Sequence, residues 1–143
     1  MKANAIGFYA LIGASVQDFL PRSNQTAIAE FFQAIRAANA DYRAIIVILD
    51  NFSSHHAADV QKAAKEQAIE LVFLPPYAPD LNPIEIIWKT IKRVISVNFI
   101  GSLDELKHHI RVTFKEASQY CSYARNWMER LVPHILDYKD FCG

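Results

Sequence analysis

Long apolar runs are missing from this chain of 143 residues. A membrane-spanning helix needs about 20 mostly apolar residues. The longest clean run, Ala44 to Leu49, has only the length of a buried strand. No basic-then-apolar leader opens the sequence, so secretion is not expected. Cysteine is scarce: Cys121 and Cys142 stand near the end, without the spacing of a disulfide framework or a metal-ligand pair. These absences point to a reduced, cytoplasmic protein with no membrane partner. Glycine is scarce as well, and none of the four builds a phosphate-cradling loop. No nucleophilic serine motif is present. Net charge is also lacking: 15 Lys/Arg balance 15 Asp/Glu, which argues against a generic nucleic-acid coat protein. The balance is uneven along the chain. Residues 1–85 hold six Lys/Arg and nine Asp/Glu; residues 86–143 hold nine and six. That mild basic excess suits a phosphate-facing surface or an ordinary solvated helical face.

What is present is enough for one domain, residues 1–143, with apolar residues making up 52%. Residues 3–20 read as two apolar strands about a tight turn near Gly13–Ser15, ended by Pro21. A helix follows, with Ile28, Phe31, Phe32 and Ile35 at helical spacing and Ser23 or Asn24 as its cap. "RAIIVILD" is a continuous β-branched run, as in a parallel strand buried on both faces. Ser53 or Ser54 can cap a helix to about Ala68 that turns Val60, Ala63 and Ala64 inward, and "IELVFL" is another strand. Strand, helix and strand make a βαβ unit. Beyond the prolines, Ile84, Ile87, Trp88, Ile91 and Ile95 form one apolar helical stripe. Gly101 breaks it, and Ser102 with Glu105 has the spacing of a capping box for the C-terminal helices, from about residue 102. Pro133 limits the helical pattern that runs toward the end. The order of elements is that of an α/β fold built on a mixed sheet.

Two carboxylates carry the candidate chemistry. Asp50 ends the buried strand, where function gathers in open α/β sheets. It suits a metal ligand, or a cap of the loop or of the next helix. Glu85 follows "LPPYAPDLNP", which holds four of the six prolines. With Asn82 as cap and Pro83 as first helical residue, Glu85 has capping-box spacing and suits the helix dipole. The stiff lead-in also fixes where the helix begins, as a metal site requires of its ligands. Carboxylate oxygens without cysteine favour Mg²⁺ or Mn²⁺. Asn51 lies beside Asp50. His55 reads as polar surface, or as a contact to phosphate or to a carboxylate. His108 and His109 read as helix surface. Lys89, Lys92 and Arg93 lie on the polar side of the helix that holds Glu85. They suit a DNA backbone, although Lys89 also has the i,i+4 spacing of a plain ion pair with Glu85.

"ILDNFSSHH" followed by "LVFLPPYAPDLNPIEIIWKTIKR" resembles the catalytic core of DDE transposases, in particular the bacterial insertion-sequence branch related to mariner elements. The likeness spans roughly residues 3–115. It rests on an Asp-Asn ending a strand, a His five residues after the Asp, the Leu-Pro-Pro-Tyr-x-Pro-x-Leu-Asn-Pro-x-Glu block, and the 34 residues between Asp50 and Glu85. It implies a ribonuclease H-like mixed sheet flanked by helices. It also implies an acidic triad that binds two divalent ions, usually Mg²⁺, and DNA cleavage and strand transfer at transposon ends. In that pattern Asp50 is the second triad member and Glu85 the third. Asn51, His55, Lys89, Lys92 and Arg93 are the expected DNA contacts.

The family's first aspartate lies on a strand that precedes the hairpin, and here no acidic residue occurs before Asp18. Asp18 is only 32 positions before Asp50 and falls on the second hairpin strand. The expectation is therefore an N-terminally truncated catalytic segment that lacks the first, central strand and is inactive alone. It would dock an upstream transposase fragment, self-associate as a homodimer, or close its sheet on itself. The alternative is a non-catalytic remnant that binds DNA or a transposase.

Overall fold

In a computed structural model, the structure describes residues 2–21, 25–50, 54–75 and 81–125. The chain divides into two compact units, Leu20–Asn82 and Met1–Phe19 with Pro83–Gly143.

The Leu20–Asn82 unit holds α1 (Gln25–Ala38), β3 (Ile45–Leu49), α2 (Ser54–Glu66) and β4 (Ile69–Phe73). β3 and β4 pair in parallel, with Ile45 opposite Ile69 and Leu49 opposite Phe73, as the βαβ reading expects. Ala27, Phe31, Phe32 and Ile35 of α1 are buried, as are Val60 and Ala64 of α2. Ile28 and Ala63 are half-buried. The helix spacing read from sequence therefore gives the correct inward faces.

Arg36 braces the unit where α1 ends. Its guanidinium donates to the carbonyl oxygens of Gln67 at 2.7 Å and Ala68 at 3.0 Å, just past the end of α2. It also reaches the Tyr42 carbonyl beyond α1. Carbonyls at a helix end lack intrahelical donors and carry partial negative charge, so a cation there is well matched. Ala68 turns the chain from α2 into β4 with φ 54°, in the left-handed region.

β3 differs from the reading as a strand buried on both faces. Ile45 is buried, but Ile46 is 61% exposed and Val72 on β4 is 45% exposed. Alternation along a strand puts Ile46, Ile48, Glu70 and Val72 on one face, and that face is not covered throughout. Nor do the strands form one mixed sheet. Among the described residues they make two two-stranded sheets, β3 with β4 and β1 with β2.

The other unit holds that second sheet and two helices. β1 (Ala5–Phe8) and β2 (Val16–Phe19) are antiparallel, with Ala5 opposite Phe19 and Phe8 opposite Val16. The link between them spans residues 9–15, longer than the tight turn expected. Gly13 in it has φ 92°, which favours glycine. Ser15 steadies it, its Oγ accepting the Ala10 amide at 3.0 Å.

α3 (Ile84–Val97) and α4 (Leu103–Ala117) form the core with this hairpin. Ile87, Ile91, Ile110, Phe114 and Ala117 are buried together, with Phe19, Ile84, Trp88, Ile95 and Leu106 packed against them. The apolar stripe read on α3 is this face. Trp88 and Phe114 stack with ring centroids 5.6 Å apart, a favourable aromatic separation. Gly7 of β1 lies directly beneath: a Cβ there would stand 2.7 Å from Phe114 Cε2 and 3.0 Å from Trp88 Cη2. The Tyr9 hydroxyl donates to the Tyr120 carbonyl, tying the strand link to the chain after α4.

The capping signal at α4 is realised. Ser102 Oγ accepts the Glu105 amide at 3.1 Å, and Glu105 Oε2 accepts the Gly101 amide at 2.8 Å. The glutamate thus reaches one residue further back than a standard capping box. The caps expected at Ser23, Asn24 and Ser53 lie outside the described residues, as do the helical pattern limited by Pro133 and Cys142.

Candidate functional site

Asp50 follows directly after β3, and its side chain is exposed. Beyond the last paired residues, Leu49 and Phe73, the Leu74 amide donates to the Leu49 carbonyl at 2.8 Å. That bond carries the parallel ladder past β4 and keeps Leu74 level with the end of β3. Leu74 is buried and Pro75 is exposed. The strand end thus presents a solvent-reachable carboxylate next to a backbone held by the parallel ladder.

Glu85 lies in the first turn of α3 and is half-buried. Pro83 stands at the cap position with φ −57° and ψ −27°, one place earlier than the sequence reading puts it, and its ring makes no side-chain cap bond. The proline's fixed φ is already helical, which suits the start of α3. A carboxylate in this turn faces the positive end of the helix dipole, which favours its charged form.

Lys89, Lys92 and Arg93 are exposed on α3. At four, seven and eight residues beyond Glu85 they share its flank, opposite Ile87 and Ile91. α3 therefore joins Glu85 to three cations, while Asp50 belongs to the other unit. His55 lies in the first turn of α2 by its backbone. Its side chain, Asn51 and the segment Pro76–Asp80 lie outside the described residues.

Both acidic groups are hard-oxygen donors, the type that suits Mg²⁺ or Mn²⁺. Among the described residues no group of three or more His, Cys, Asp or Glu side chains is assembled to hold a metal ion. No helix among them is long and apolar enough to cross a membrane.

Two cations were not singled out by the sequence reading. Lys107 Nζ and Arg111 Cζ on α4 lie 5.4 and 5.6 Å from the centroid of the Phe19 ring. Their i,i+4 spacing was the available signal; the aromatic partner on β2 was not.

Asp50 ends a strand of one unit, and Glu85 opens a helix of the other. The family model described as DDE superfamily endonuclease matches residues 2–107, most of the chain. The chain belongs to that family, which acts on DNA and generally uses divalent metal ions. No curated protein and no solved structure matches it.

Proposed function

We propose that this chain is a transposase catalytic-domain segment of the bacterial insertion-sequence branch related to mariner elements. Its chemistry is metal-dependent cleavage and strand transfer at transposon ends, on a ribonuclease H-like scaffold. The observation that carries the reading is the family match across both carboxylates. One of them ends β3; the other opens α3 behind a proline.

In this reading Asp50 and Glu85 are the second and third members of the acidic triad and hold Mg²⁺ or Mn²⁺. Bound there, such ions would supply activation of the attacking water or hydroxyl and charge stabilisation of the leaving oxygen. Asp50 offers its carboxylate at the strand end, and Glu85 offers one from a helix start set by Pro83. Lys89, Lys92 and Arg93 contact DNA phosphates, and Asn51 and His55 contribute from the residues after Asp50. The cations supply affinity and orientation without reading sequence.

Asp50 and Glu85 supply two of the three triad carboxylates, and activity in this account requires the third. An upstream transposase polypeptide is the proposed partner. The uncovered β3–β4 face, with Ile46 and Val72 exposed, supports pairing with such a polypeptide or with a second copy.

The experiment is a Mg²⁺-dependent cleavage assay on transposon-end DNA, with the chain co-expressed with the upstream polypeptide. Cleavage should appear only in the combined sample and vanish with Asp50→Ala. Undiminished cleavage by the Asp50→Ala sample would sink the assignment.

A further inference from the structure

Phe19 sits at the end of β2, packed against the α3–α4 core. Two side chains one helical turn apart on α4, Lys107 and Arg111, are drawn to its ring. Both cations lie within the ~6 Å at which a ring quadrupole attracts a positive charge. The ring restrains two long side chains whose charges repel each other. Lys115, exposed one further turn along, continues the row. From Lys107 to Lys115 the row extends about 12 Å at 1.5 Å per residue.

The row holds three cations, with one carboxylate on its flank of α4. Asp104 lies on the same flank at the N-terminal end of α4, exposed. Asp18 is the other near carboxylate in sequence, and its Oδ1 accepts the Phe19 amide at 2.8 Å. Three cations in a row against one carboxylate suit a polyanion with regularly spaced charges. Duplex DNA carries one charge per ~1.7 Å of axis, dense enough to meet all three.

We propose that Lys107, Arg111 and Lys115 form a second phosphate-contacting stripe for duplex DNA, on α4 rather than on α3. The proposal rests on the DNA reading above, which it extends to a separate surface. Contacts of this kind do not read bases, so the stripe adds affinity on any duplex sequence.

The test is fluorescence anisotropy of the full chain with a mixed-sequence 30-base-pair duplex across a salt series. Compared are the unaltered chain, the triple variant Lys107→Gln/Arg111→Gln/Lys115→Gln, and Lys89→Gln/Lys92→Gln/Arg93→Gln. Three lost phosphate contacts should lower the slope of log K against log salt by about 2.7, and affinity at 0.1 M salt on the order of 100-fold. Lys115→Gln alone touches no ring, so it keeps the core contacts; it should lower the slope by about 0.9. If the unaltered chain and the α3 variant differ in binding but neither α4 variant does, the stripe is refuted and the DNA reading stands. If the unaltered chain binds no duplex even at 50 mM salt, the stripe and the DNA reading fail together.

Discussion

Leu74 donates its backbone amide to the Leu49 carbonyl at 2.8 Å, one step beyond the last paired residues of β3 and β4. The bond matters because Asp50 follows Leu49 and the proline segment follows Leu74. It makes the departure point of the Glu85-bearing stretch part of the same ordered strand end as Asp50. Replacing Asp50 by Asn should leave this backbone arrangement intact, because the side chain is exposed. The expected change in thermal stability is small, within about 0.5 kcal/mol, as for a surface substitution. Calorimetry checks it, and a large loss would assign Asp50 a structural duty instead.

Gly7→Ala tests the packing beneath Phe114. The added methyl would stand 2.7 Å from Phe114 Cε2, and Trp88 closes off the other side at 3.0 Å. One of two stacked rings must move in a core where Phe114 is buried. Overpacking of this kind costs about 1–3 kcal/mol. Urea unfolding should show a lower midpoint with an unchanged slope.

Ala68→Gly tests the turn between α2 and β4. At φ 54° a Cβ is strained, whereas glycine adopts this conformation freely. The greater freedom of glycine in the unfolded chain offsets part of the gain. The expected net result is stabilisation of about 0.5–1 kcal/mol, read from the same unfolding curves. Destabilisation would mean the alanine methyl has a packing role.

Ser102→Ala removes the acceptor of the Glu105 amide. The loss of an N-cap of this type is about 1 kcal/mol. Ser102→Asp keeps an acceptor and adds a charge suited to the helix dipole, so it should retain most of the stability. Amide hydrogen exchange at Glu105 should accelerate in the alanine variant only.

The sequence carried those features that depend on short spacing. The α3 stripe, the inward faces of α1 and α2 and the Ser102–Glu105 cap each follow from residues within about three helical turns, and the parallel βαβ pair follows from the order of its elements. Features that depend on distant partners were not legible. The exposure of Ile46 depends on what packs against the sheet, and an unbroken β-branched run does not report that. Arg36 reads as an ordinary charge in the last turn of α1, because its acceptors lie 31 and 32 residues away. The Phe19 ring under Lys107 and Arg111 is hidden for the same reason. For the candidate site, the spacing and residue types of Asp50 and Glu85 were readable. So was the basic flank of α3, because 3.6-residue periodicity places Lys89, Lys92 and Arg93 with Glu85.

The function proposed above has Asp50 and Glu85 as ligands of divalent metal. Electron paramagnetic resonance titration of Mn²⁺ with the unaltered chain, Asp50→Asn, Glu85→Gln and the double variant tests it most directly. Each single variant should weaken Mn²⁺ binding, and the double variant should be little worse than either one. Unchanged affinity in both single variants, or losses that simply add, would contradict it.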